Sequence, residues 1–150
     1  ALRIFVDEHL CTDGVPKLDC DDHATMVDMY VTKDIKVYIF LETAAHAMYA
    51  PTLAEMQAKH RARLRFFLCD PALTLPILKE AGLDARATPT ALAHDAHGLY
   101  GELPGRDRWW RLSEVRGREA SMTLSDLEAF VRQIAADIKV VTRHRENLAR

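Results

Sequence analysis

Sulfur gives this chain of 150 residues its greatest chemical reach, and its three cysteines, Cys11, Cys20 and Cys69, include no Cys-x-x-Cys pair. Thiol exchange needs an activated thiolate and a second sulfur to resolve the mixed disulfide. Cys11 and Cys20 bracket a stretch of eight residues and are a candidate structural disulfide. Asp19, Asp21 and Asp22 crowd negative charge around Cys20 and disfavour its thiolate, which argues against catalysis there. Cys69 closes an apolar run and reads as a small buried hydrophobe. Three cysteines are too few for a disulfide scaffold.

Two mixed clusters have the chemistry of metal ligands, His94-Asp95-Ala96-His97 and Asp19-Cys20-Asp21-Asp22-His23. Neither has a metal-specific spacing. The first is better accounted for as an Asp/Gly turn closed by Gly98, and the second as an acidic loop leading into a helix. No metal and no cofactor is implied. Arg106, Arg108, Trp109, Trp110 and Arg111, followed by Arg116 and Arg118, alternate cations with aromatics in a way that suits nucleic-acid stacking. Asp107, Glu114 and Glu119 dilute that charge, and the whole chain carries −2 with pI near 6.4, so no general field holds a polyanion. Packing of the two Trp on a sheet edge, or a protein contact, fits better than nucleic acid. A second basic run, Lys59, His60, Arg61, Arg63 and Arg65, reads as cations matching the dipole at a helix end.

These residues need a frame, and the length, with 49% hydrophobic and 28% charged residues, supports one domain with one core. We expect that domain over residues 1–141 and a polar tail that frays over 142–150. The longest apolar run, Val37 to Leu41, is far short of a membrane span. Leu2 to Val6 favours a strand, and Asp7 to Asp22 has loop chemistry. Asp22 then caps a helix near His23 to Val31 with Met26, Val27 and Tyr30 on one face. Val37-Tyr38-Ile39-Phe40-Leu41, apolar throughout, predicts a central strand covered on both sides.

A helix follows from about Ala45 to His60, with Met48, Leu53 and Met56 on one stripe and a kink expected at Pro51. Leu64 to Leu68 is a second buried strand, ended by Asp70-Pro71, and a helix runs from there or from Thr74 to Gly82. Thr90 to His94 and Leu99 to Leu103 predict a hairpin around residues 95–98. Pro104 to Ala120 is a polar excursion. Thr123 caps a last helix that presents Leu124, Leu127, Val131, Ile134 and Ile138 on one side. The order β-α-β-α-β-α-β-β-α, with right-handed parallel crossovers and an antiparallel closing hairpin plus helix, is an α/β fold with a central mixed sheet flanked by helices.

From Val37 to Ala136 the chain resembles the thioredoxin-like superfamily, of the thioredoxin and disulfide isomerase type. The resemblance rests on the apolar strand, Ala50-Pro51 inside the next helix, the strand-end Cys69-Asp70-Pro71, Ala87-Thr88-Pro89-Thr90 before a hairpin, and the amphipathic last helix. It implies a cis bond before Pro89. It also implies a Cys-x-x-Cys at the helix start, and this sequence departs from it there. Aligning Ala50-Pro51 puts the dyad at Thr43 and His46; aligning Phe40 and Glu42 with the strand end of the isomerases puts it at Ala45 and Met48. Neither register holds sulfur.

The resulting expectation is a redox-inactive binding or chaperone-type module that holds a partner protein or extended peptide in a groove of Thr43, Ala45, His46, Met48, Thr88 and Pro89. His46 reads as a solvent-facing residue at the helix start. The alternative is a divergent thiol-disulfide oxidoreductase or isomerase relative with substituted or relocated cysteines. Strand-like sequence from Leu2 lacks the basic flank and apolar stretch of a secretion leader, but a leader can be removed, so the compartment stays open between soluble cytoplasmic and periplasmic locations. The oligomeric state is not set by the sequence.

Overall fold

The computed structural model describes residues 17–18, 23–83, 89–101, 105–112 and 122–149. Their strands form one mixed sheet in the order β1-β3-β2-β4-β5. The strands are β1 (Lys17–Leu18), β2 (Ile35–Phe40), β3 (Leu64–Cys69), β4 (Thr90–Asp95) and β5 (Arg108–Arg111), and the helices are α1 (His23–Val31), α2 (Thr43–His60), α3 (Leu75–Glu80) and α4 (Leu124–Ala149). β2 lies at the centre, parallel to β3 and antiparallel to β4, with β1 parallel to β3 on one side and β5 antiparallel to β4 on the other.

The period-two alternation of β2 sorts the core into two layers. Ile35, Val37 and Ile39 face Leu53 and Met56 of α2 and Phe130, Ile134 and Ile138 of α4. Tyr38 and Phe40 face the other way, onto Phe67, Leu92, Met29 of α1 and Leu78 of α3. All six residues of β2 are buried, as a strand covered on both faces requires. The strand begins two residues before the apolar run, because Lys36 is buried with its amine donating to the Thr32 carbonyl at 3.0 Å, the Asp34 carbonyl at 2.8 Å and the Asp34 carboxylate. α4 starts with a reciprocal cap: the Asp126 N–H donates to Thr123 Oγ1 at 3.1 Å and the Thr123 N–H to Asp126 Oδ2 at 2.9 Å.

The edge strand differs from expectation. Leu99 to Gly101 bends instead of pairing, and β4 pairs with Arg108–Arg111, inside the excursion. The buried Asp95 carboxylate causes this bend by accepting the N–H groups of Leu99 at 3.2 Å and Tyr100 at 2.7 Å. Gly98 at φ +67° brings that turn so close to Gly105 that a Cβ would lie 2.6 Å from its carbonyl carbon.

The arginines of β5 are tolerated because each is spent inside the fold. Arg108 donates to Asp137 at 3.1 Å and lies over the Trp110 ring, while Arg111 reaches the Ala81 carbonyl at 2.9 Å. Trp110 is buried and donates to Asp137 at 2.8 Å, and Trp109 stacks on His94 with ring centroids 3.8 Å apart. The two Trp therefore pack on the sheet edge.

Other boundaries moved less. On α1 the buried residue is Met29, with Met26 beside the core, whereas Val27 and Tyr30 are exposed. α2 starts at Thr43 and continues through Pro51. α4 stays helical to Ala149, through the segment expected to fray, and is exposed from Arg143 onward. Lys17–Leu18 pairs with β3 inside the stretch read as loop. The predicted strand at Leu2 to Val6, the Asp22 cap, Arg116 and Arg118 lie outside the described residues.

Candidate functional site

Three connections converge at one end of the sheet, as the strand register dictates. Phe40 is paired with Cys69 on one side and Thr90 on the other, so the next step along the chain sets Leu41 beside Asp70 and Pro89. The carboxyl ends of parallel strands are where open α/β sheets place their ligands. α2 leaves from this end, and Glu42 at its cap position makes no side-chain capping bond. Its first free N–H groups give the end a partial positive charge.

Thr43 is exposed at the helix start and donates from Oγ1 to Asp70 Oδ2 at 2.6 Å. Asp70 Oδ1 accepts the Ala72 N–H at 2.9 Å, and the Asp70 carbonyl accepts the Thr74 hydroxyl at 2.7 Å. The Thr43 hydroxyl, the Ala72 N–H, the nearby His46 and the Leu73 N–H hold the Asp70 carboxyl below the usual carboxylate range, outweighing the opposing effect of burial. Thr43 and Asp70 thus tie the head of α2 to the end of β3.

His46 is buried, at 2% exposure, which corrects the solvent-facing expectation. The helical turn from Thr43 swings its ring under the strand end, where Nε2 lies 2.9 Å from the Leu41 carbonyl. A carbonyl only accepts, so Nε2 carries a proton. Nδ1 is buried and has no hydrogen-bond partner. Met48, expected on the buried stripe, is 72% exposed; that stripe consists of His46, Ala50, Leu53 and Met56. Ala45 is half-buried against the core.

Among the expected groove residues, then, Thr43, Ala45, His46 and Pro89 gather at one end of the sheet, and Met48 lies on the outer side of α2. Thr88, the bond before Pro89, Cys11 and Cys20 lie outside the described residues. Cys69 is buried with Sγ 3.8 Å from the Phe67 carbonyl. Sequence reasoning placed Asp70 only at the end of a strand. Its link to Thr43, 27 residues earlier, comes from the parallel pairing of β2 and β3, and the sole signal for it was an acidic residue closing an apolar strand.

The cluster from His94 to His97 does not assemble, and residues 19–22 of the other lie outside the described residues. His94 Nε2 lies 3.0 Å from Asp107 and His97 Nε2 2.8 Å from the Tyr30 carbonyl, and among the described residues no group of three potential ligands converges. Among the described residues, too, no helix is long and apolar enough to cross a membrane.

No protein-family model matches the chain, and no curated protein matches it closely enough to count as a relative. Similar solved structures include one on the thiol-resolving mechanism of yeast mitochondrial 1-Cys peroxiredoxin, 23% identical over 55% of this chain and 74% of that one, with a TM-score of 0.40. Mitochondrial thioredoxin 3 from Saccharomyces cerevisiae, in its oxidised form, is 22% identical over 55% of this chain and 76% of its own, at 0.41. Chloroplastic thioredoxin z is 14% identical over 81% and 95%, at 0.48. Likenesses at these values say nothing about activity. The strand order 1-3-2-4-5, with α2 leaving the end of the central strand, gives this chain a thioredoxin-like fold on its own topology.

Proposed function

We propose that this protein is a redox-inactive member of the thioredoxin-like group that binds a partner protein or extended peptide at the sheet end formed by Leu41–Thr43, Asp70 and Pro89. One observation carries the reading: the head of α2 holds a hydroxyl bonded to a carboxylate and a buried imidazole, where thiol exchange would need sulfur. A threonine hydroxyl engaged as a donor to Asp70 forms no mixed disulfide. What remains is a recognition surface of helix-start N–H groups, exposed Thr43 and half-buried Pro89.

The test uses the full chain, an unfolded client protein with blocked thiols, and insulin disulfide as a turnover substrate. Client binding is expected to survive dithiothreitol and alkylation, to weaken in Thr43→Asp, where the contact would desolvate a second carboxylate beside Asp70, and to be unchanged in Cys69→Ala. No insulin reduction is expected. Turnover abolished by Cys20→Ser, or complexes that vanish on reduction, would replace this reading with the oxidoreductase one.

A further inference from the structure

The far end of α2 presents a second constellation, unrelated to the first. Beyond His60 the chain turns back into β3, and α4 passes alongside. Between them lies a cavity of about 390 Å³, within the size range of small-molecule sites. Lys59, His60, Arg63 and Lys139 stand on its walls, Ala62 and Ala135 over the buried Leu64 and Ile138 form its apolar side, and no carboxylate lines it. An adjoining cavity of about 210 Å³ shares Lys59 and His60 and continues along α2 and α4, with Glu55, Glu128 and Arg132 in its walls. Glu55 stands one helical turn before Lys59, whereas Arg63 and Lys139 line only the cavity that has no carboxylate.

Helix-dipole compensation accounts for Lys59 and His60, which lie in the last turn of α2. It does not account for Arg63, which lies past the helix, or for Lys139, which comes from within α4. The positions three and four residues from Lys139 on its own helix are Ala135, Ala136, Thr142 and Arg143, so no carboxylate stands ready to pair with it. Lys59, Arg63 and Lys139 are exposed and form no ion pair among the described residues. Burial, then the Lys59 charge, pushes His60 below the usual imidazole range, which leaves a neutral ring at pH 7 beside three full positive charges.

We infer that this cavity is a binding site for a phosphate monoester with an apolar arm: Lys59, Arg63 and Lys139 hold the doubly charged phosphate, His60 supplies a neutral hydrogen bond, and the arm lies on Ala62 and Ala135, above the buried Leu64 and Ile138. Three cations match a dianion better than a single carboxylate, and an apolar wall without polar partners selects against free inorganic phosphate.

Titration of the full chain with 1-naphthyl phosphate, followed by calorimetry and by amide shifts, tests the site. Saturable binding is expected, with shifts concentrated at residues 59–64 and 135–139. The Arg63→Glu/Lys139→Glu double variant, altered only at exposed positions, is expected to bind about tenfold more weakly or worse, and 1-naphthol and inorganic phosphate to fall short by a similar factor. Lys139→Gln carries the same test at lower amplitude should the double variant not fold. Absence of saturation at millimolar probe, shifts located elsewhere, or equal binding of 1-naphthol would overturn the inference.

Discussion

The two faces of the sheet are built to different depths. One lies under α2 and α4, of 18 and 26 residues, which together cover the aliphatic side of β2 and β3 with Leu53, Phe130, Ile134 and Ile138 at no more than 1% exposure. The other lies under α1 and α3, of nine and six residues, and relies on aromatic contact within the sheet, with Tyr38 stacked on Phe67 at 6.0 Å and 6.2 Å from Phe40. Its covering helix α1 buries Met29 but leaves Val27 and Tyr30 outside. Cooperative stability therefore rests on the long helices, and the short ones are the elements that can open locally.

The comparison is tested most strongly by Phe130→Ala and Phe40→Ala, one on each face, and both fully buried. Each is expected to cost about 3–5 kcal/mol in denaturant unfolding. A loss under about 1 kcal/mol at Phe40 would remove the argument for a tightly packed second face. Met29→Ala, under the thin cover of α1, is expected near the low end for such truncations, about 2 kcal/mol. In the same samples, amide exchange should be faster in α1 than in α2 and α4; equal protection would mean that the two faces open as one unit.

Thr123→Ala removes the reciprocal cap of α4 and should cost about 1 kcal/mol, readable as a shifted unfolding midpoint with unchanged slope. The smallest effect belongs to the candidate site. Thr43→Val removes the main cause of the lowered Asp70 carboxyl, and an NMR titration should show that carboxyl moving up toward the usual carboxylate range. Because the folded-state value is lowered, the stability Asp70 contributes is present above the usual carboxylate range and is lost as pH falls through the folded value. The wild type should therefore lose more stability than Thr43→Val on acidification below about pH 4, by a few tenths of a kcal/mol for a pair this open to solvent. Identical acid profiles would show that the Thr43–Asp70 bond does not persist in solution.

Periodicity and punctuation alone determined a large part of this molecule. Val37 to Leu41 could only be a buried central strand, because five successive apolar residues need cover on both faces, and the spacing from Leu127 to Ile138 could only be one face of a helix. The absence of sulfur at Thr43 and His46 is likewise a matter of sequence. Tertiary structure decided what local pattern could not. Arg108–Arg111 became the edge strand in place of Leu99–Leu103 because Asp137 and the Ala81 carbonyl, 29 and 30 residues away, accept its arginines, while Asp95 consumes the backbone donors at 99 and 100. His46 went inside because the Leu41 carbonyl lies within its reach once α2 turns back under β2. The arginines found their acceptors about thirty residues away, and His46 found one five residues back for one of its two ring nitrogens; the cost of burying a polar group unpaired is what makes such partners decisive.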